Sequence, residues 1–213
     1  MNALLLAAAL FFGANSVPDG TLLFLDNSNL FVELYTGSET THVAVVLNER
    51  DAPWVYEATP HEVRKLTLDD YYAELGKLNQ RRKESKKIRV QMLRPRAAYS
   101  AEEVAAMRGW LESQLGRRYS IKGYVRGKSD GIHCAELAAH ALCTSGALNL
   151  DRCQDECPTT LYEKSKSFSL PPAHITIDEP VEQPSWCERS WNDWRGFGRW
   201  CKWSSWEAWT FCW

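Results

Sequence analysis

The stretch Gly131-Ile132-His133-Cys134-Ala135-Glu136-Leu137 decides how this chain is read. A glycine-containing loop runs into a cysteine, and the residues that follow, Leu137, Ala138, Ala141 and Leu142, recur at helical spacing until Gly146. The cysteine therefore opens a helix. At such a position unpaired backbone N–H groups and the positive end of the helix dipole face the sulfur. Both favour the thiolate, the nucleophilic form of the side chain, and the same N–H groups can receive an oxyanion. A cysteine so placed can equally be a small buried helix residue or a disulfide partner. What separates the readings is whether a base and a carboxylate lie elsewhere in the chain.

Two apolar runs upstream supply them. Thr41-His42-Val43-Ala44-Val45-Val46 and Val55-Tyr56-Glu57-Ala58 flank a polar turn from Asn48 to Ala52, and together they predict a hairpin. His42 has Ala44 and Val46 as same-face neighbours. A histidine there can present one ring nitrogen to the sulfur and the other to a carboxylate. Glu57 lies in an otherwise apolar stretch, where a carboxylate needs a partner. The plainer alternatives are a core histidine satisfied by a carbonyl and an edge-strand glutamate facing water. The remaining histidines are scattered. His133 adjoins Cys134 and lines the cleft at most, His61 sits in a turn, His140 is on the Cys134 helix, and His174 precedes a strand. They form no metal triad.

The rest of the chain alternates short elements. Thr21 to Leu25 predicts a buried strand after Pro18-Asp19-Gly20, and Ser28-Asn29 caps a short helix through Tyr35 that stops at Gly37. Thr67-Leu68-Asp69-Asp70 opens a helix through Leu78. Ile88 to Leu93 alternates as a half-buried strand. Ser100-Ala101-Glu102-Glu103 is a capping box, and its helix carries Val104, Met107, Leu111 and Leu115 on one face before Gly116. A Gly- and Lys-rich loop from Lys122 to Gly131 leads to Cys134, and His174 to Ile177 predicts the last core strand. This order predicts an α+β domain with an antiparallel sheet.

The 213 residues suit one domain with terminal extensions. The net charge of −2 calls for neither nucleic acid nor an acidic membrane as partner. Residues 1–16 read as a signal peptide: an apolar run too short to span a bilayer, then Ala14-Asn15-Ser16. That implies a secreted or cell-envelope protein, with a buried N-terminal helix as the alternative. Seven cysteines are many for a cytosolic enzyme of this size. Setting Cys134 aside leaves an even number, Cys143, Cys153, Cys157, Cys187, Cys201 and Cys212, which predicts disulfides of unspecified connectivity. The domain proper is 17–179. After it, residues 180–213 change character: eight of the ten tryptophans lie between Trp186 and Trp213, and aromatics recur every third residue. That period fits neither an amphipathic helix nor a strand. Trp203 to Cys212 looks like the opening of a thrombospondin type 1 repeat. A membrane- or glycan-contacting tail and a spurious or truncated terminus are its alternatives.

Taken in order, Asp19-Gly20, Thr36-Gly37-Ser38 with Thr41-His42-Val43, Val55-Tyr56-Glu57-Ala58 and Cys134-Ala135-Glu136-Leu137 resemble the permuted papain-like amidases of the YaeF/YiiX group, relatives of the NlpC-type cell-wall endopeptidases. The resemblance spans residues 19 to about 178. It departs from the family at Cys134-Ala135-Glu136, where members usually have Cys-Ser-Glu. It implies a circularly permuted papain-like fold, with the order His, Glu, Cys in place of Cys, His, Asn/Asp. A triad is defined by geometry and roles, so chain order does not disqualify it. By the same resemblance Cys134 is the nucleophile, His42 the base and Glu57 the orienting carboxylate. No cofactor or metal is implied, and the substrate is an amide in a peptide or peptidoglycan stem. Acyl transfer or lipid ester cleavage by the same thiol is one alternative; an inactive secreted binding protein is another.

Overall fold

The computed structural model describes residues 17–50, 52–120 and 131–178, apart from the side chains of Leu30, Phe31 and Tyr35. Six strands, β1 (Thr21–Asp26), β2 (Thr40–Glu49), β3 (Ala52–Ala58), β4 (Val63–Thr67), β5 (Arg89–Leu93) and β6 (Ala173–Ile175), form one sheet in the order β4-β3-β2-β1-β5-β6. Every neighbouring pair is antiparallel. The helices are α1 (Leu30–Thr36), α2 (Leu68–Asn79), α3 (Ala101–Ser113), α4 (Cys134–Thr144) and α5 (Pro158–Ser165). The class is α+β, as the alternation of strand and helix signals predicts.

Strand alternation sorts the core into two layers. Phe24, Val43, Val45, Leu47 and Tyr56 face one way and pack with Met107 and Leu111 of α3, Leu137, Ala138, Ala141 and Leu142 of α4, and Leu161 of α5. Leu23, Leu25, Ala44, Val46 and Val55 face the other way and pack with Leu68, Tyr71 and Leu75 of α2. A period of two along β1, β2 and β3 thus gives the sheet two apolar faces, each covered by helix. Among the described residues no helix is long and apolar enough to cross a membrane.

Local signals set most boundaries. Asn29 Oδ1 accepts the Val32 N–H (3.3 Å) at the start of α1, and Gly37 ends it at φ 65°, a left-handed conformation that suits glycine. Thr67 caps α2 by accepting the Asp70 N–H (3.1 Å). The capping box of α3 is complete: Ser100 Oγ accepts the Glu103 N–H (3.2 Å), and Glu103 Oε2 accepts the Ser100 N–H (2.6 Å).

Two expectations are corrected. Leu115 is not on the buried face of α3: the helix ends at Ser113, and Leu115 is 42% exposed in the turn before Gly116. The apolar spacing simply runs past the last hydrogen-bonded turn. His174 to Ile177 is not a core strand. It is the three-residue edge strand β6, paired only with β5, with His174 exposed. Two elements were also unforeseen, β4 and α5. The latter starts at Pro158 behind Cys157, whose sulfur accepts the Thr160 N–H. The expected signal peptide at 1–16, the loop at 122–130 and the Trp-rich segment at 180–213 lie outside the described residues.

Replacing Ser100 with alanine removes one half of the capping box and leaves the Glu103 amide without its partner. The expected cost is about 1 kcal/mol of stability, read from the urea midpoint at unchanged slope.

Candidate active site

His42 is positioned by a bulge. The β1–β2 register runs Leu25↔His42 and then Asp26↔Thr40, so Thr41 is the extra residue on β2. Its side chain does not go to waste: Thr41 Oγ1 accepts the Ser28 (2.9 Å) and Asn29 (3.2 Å) N–H groups at the entry to α1. Thr40 donates to buried Asp26 (2.9 Å). A bulge locally increases twist and re-aims the neighbouring side chain, and here the neighbour is His42.

The β2–β3 ladder ends at Val45↔Tyr56. Beyond it, residues 57 and 58 of β3 pair only with β4, opposite Arg64 and Val63. His42 and Glu57 sit at this open end, in alternation with Ala44, Val46 and Val55 on the α2 side of the sheet. Cys134 belongs to the cluster on the α4 side, together with Val43, Val45 and Ala58. The ladder has stopped here, so no pairing with β2 separates Glu57 from His42.

His42 Nε2 lies 2.8 Å from Glu57 Oε2, and the Cys134 sulfur is close enough to act on the charge of the imidazole. With Nε2 committed to Glu57, Nδ1 is the nitrogen left for the sulfur. The structure therefore brings together Cys134, His42 and Glu57. Cys134 is the first residue of α4 and is 2% exposed. The approach to it is a short parallel bridge between Tyr119 and Ile132, with the Ile132 N–H donating to the Arg118 carbonyl (2.9 Å). Gly131 is required there: a Cβ would stand 2.4 Å from Ser120 Cβ and 2.8 Å from the Arg118 oxygen.

The residue that sequence reasoning missed is Arg64 of β4. It stands directly opposite Glu57 in the ladder, and its Nε donates to Glu57 Oε1 (2.8 Å). Its far end is held by Glu74 of α2 through Nη1 (3.3 Å) and Nη2 (2.6 Å). Beyond Cys134, charges thus alternate along one line: His42, Glu57, Arg64, Glu74. The detectable signal is the run Thr59 to Thr67, whose Val63 and Leu66 frame two basic residues in a short amphipathic strand.

The electrostatics follow from this line. Burial alone pushes the Glu57 carboxyl up, but its hydrogen bond to His42 and the Arg64 charge outweigh that and hold it below the ordinary 4.5. Burial likewise pulls His42 down; the Cys134 sulfur and then Glu57 overcome it and raise the imidazolium to about 10 from 6.5. Behind them, Tyr71 of α2 is 1% exposed, and burial, with Glu57 adding to it, keeps its phenol protonated.

His133 has another task than the cleft. It is fully buried and caps α4: its Nδ1 accepts the Glu136 N–H (3.1 Å), while Nε2–H donates to the Gln154 carbonyl (3.2 Å). Burial lowers its pKa to about 4, with His140 adding to the effect and the Gln154 bond offsetting part of it. The ring is neutral at neutral pH, as a cap that accepts must be. His61 is exposed in a turn, and His140 stacks on Trp110 (4.7 Å between centroids). No disulfide joins Cys134, Cys143, Cys153 or Cys157 in this structure. The other cysteines lie outside the described residues.

No family model matches the chain, and no curated protein does. Among solved structures the chain is similar to the crystal structure of metalloprotein YiiX from Escherichia coli O157:H7 (DUF1105). The identity is 16% and the TM-score 0.49, over 78% of this chain and 100% of that one. That protein is described as a metalloprotein. Among the described residues here, no group of three or more His, Cys, Asp or Glu side chains is arranged to hold a metal ion. Both Glu57 oxygens are taken, one by His42 and one by the Arg64 cation.

The pH dependence has a definite sign. His42 is raised, so its stabilisation is complete below about 6.5 and is lost as pH rises through about 10. Glu57 is lowered, so its contribution is complete above 4.5 and is lost as pH falls through its depressed value. The two act in full together between 4.5 and 6.5. An NMR titration of the His42 ring should give a midpoint near 10 in the native protein. Cys134→Ala should lower that midpoint further than Glu57→Gln does, because the sulfur is the larger of the two supports. A native midpoint near 6.5 would mean that the ring, sulfur and carboxylate do not interact as described.

Proposed function

We propose that the chain is a thiol hydrolase that cleaves an amide bond, in a peptide or peptidoglycan stem, through a thioester on Cys134. The observation that carries this reading is one imidazole hydrogen-bonded to a carboxylate kept ionised and under the influence of a sulfur at a helix start. A merely structural histidine has no need of two such partners, and a merely structural carboxylate has no need of the Arg64 support behind it.

In this reading the Cys134 thiolate attacks the amide carbon, and the carbonyl electron pair moves onto oxygen. The Cys134 backbone N–H, at the tip of α4, receives that oxyanion. As the tetrahedral species collapses, the His42 imidazolium gives its proton to the departing nitrogen, the C–N bond breaks and a thioester remains. Water then enters. Neutral His42 takes one of its protons as the oxygen attacks, the C–S bond breaks, and thiolate and imidazolium are restored as the acid leaves.

The same geometry explains how one ring serves both halves. In the resting site the Cys134 sulfur is the main support for the raised His42 pKa, so the ring holds its proton and stands ready as an acid. Once the sulfur is acylated that support is gone. Burial then lowers the ring's proton affinity, and His42 becomes a base suited to water. Glu57 remains ionised throughout and fixes the ring through Nε2. Arg64 acts through Glu57 as a positioning residue.

The test combines labelling and turnover. Limiting fluorescent iodoacetamide should label Cys134 ahead of the other thiols in folded protein, and a panel of peptides and peptidoglycan stem peptides should yield a substrate whose acyl group is trapped on Cys134. Cys134→Ala and His42→Ala should bring turnover below detection. Glu57→Gln should lower kcat by about 10²–10³-fold, since it weakens proton transfer without removing the nucleophile. Turnover at the native rate in Cys134→Ala refutes the mechanism. Capture of the acyl group by an added amine or alcohol in preference to water reassigns the enzyme to acyl transfer.

A further inference from the structure

We infer that Cys143 and Cys153 form a disulfide that clamps the far end of the helix carrying Cys134. Their sulfurs lie 3.0 Å apart. Cys143 is in the last turn of α4, and Cys153 opens the 3-10 turn Cys153–Asp155. A disulfide needs a separation of about 2.0 Å, so closure asks for a movement of about 1 Å, within reach of side-chain rotation.

The other described cysteines are engaged elsewhere. Cys134 lies at the opposite end of α4 from Cys143. Cys157, the nearer neighbour of Cys153 in sequence, uses its sulfur to accept the Thr160 N–H (3.4 Å) at the start of α5. A Cys153–Cys157 link would give up that cap, whereas the Cys143–Cys153 link gives up nothing but the S–H contact it replaces.

Position gives the bond its significance. The residue after Cys153, Gln154, accepts the Nε2–H of His133, the cap of the same helix (3.2 Å). One turn of chain therefore touches α4 at both ends, by a hydrogen bond beside the nucleophile and by sulfur ten residues along. Covalent closure at one end fixes the turn that holds the other.

The chemistry balances with a small-molecule disulfide as oxidant. Cys143 is half-buried and Cys153 buried, and burial together with Cys143 holds the Cys153 thiol up at about 12. Cys143 therefore meets the oxidant first. Its thiolate attacks one sulfur of the oxidant and expels the other half as a thiolate. Cys153 then loses its proton and attacks the Cys143 sulfur of the mixed disulfide, expelling the second half. The two protein thiols give up two electrons and two protons, and the oxidant is reduced to two thiols.

The full chain is treated with oxidised glutathione, alkylated, digested without reduction and mapped by mass spectrometry. Expected are a Cys143–Cys153 cross-linked peptide pair and an alkylated Cys134. Cys153→Ser should trap a glutathione adduct on Cys143, while Cys143→Ser should leave Cys153 as the alkylated thiol. Alkylation of both cysteines in oxidised native protein, or a link from Cys153 to Cys157, overturns the inference. The result is independent of the hydrolase reading, which the reactivity of Cys134 reports by itself.

Discussion

A buried carboxylate that must stay ionised is the constraint around which this fold is arranged. Glu57 sits at the end of the β2–β3 ladder, 4% exposed, where an isolated anion would take up a proton instead. It does not, because cations stand on both sides of it, His42 across the open end of the ladder and Arg64 across the β3–β4 pair. Each needs the sheet register that places it there. The bulge at Thr41 sets His42, and the pairing of Glu57 with Arg64 sets the guanidinium. Glu74 on α2 then holds the outer end of Arg64 and joins the helix layer to the line of charge. Removing His42 or Arg64 would leave Glu57 buried with one cation fewer, so the inner members of the line depend on one another.

Much of this was legible in the sequence, for physical reasons that differ from residue to residue. His42 and Glu57 could be read because each interrupts an apolar strand, where a polar group must have a partner. Cys134 could be read because the helix after it has a clean apolar face. Arg64 could not. Its strand has five residues, two of them basic, and it runs into the cap residue Thr67 with no turn between, so it passes for a polar connector. What makes Arg64 part of the site is register with Glu57, a tertiary fact that no local pattern carries. His133 was misplaced for the opposite reason. Its nearness to Cys134 in sequence suggested the cleft, whereas a cap residue turns its ring back onto its own helix. Leu115 and the His174 strand show the ordinary failing of periodicity, which continues after hydrogen bonding has stopped.

The two histidines next to α4 make a useful contrast. Both are largely removed from water, and burial pulls both toward the neutral form. His133 meets a backbone amide that donates to it and a carbonyl that accepts from it, so the neutral ring satisfies both contacts. His42 meets a sulfur and a carboxylate, and charge on the ring is favoured. Burial acts the same way on both side chains, and their partners decide the outcome: His133 is lowered to about 4 and His42 raised to about 10.

The order of the elements along the chain has a consequence for how such a site comes into being. β1, β2, β3 and β4 are neighbours both in sequence and in space, so His42, Glu57 and Arg64 are brought together by short-range pairing that forms early and at small entropic cost. The sulfur belongs to a helix made some seventy residues later than Arg64. As the chain emerges during synthesis, His42, Glu57 and Arg64 are available first. Cys134 comes last, toward a cradle of charge whose members all precede it. In the hydrolase reading proposed above, the unfinished chain is therefore without its nucleophile until α4 docks.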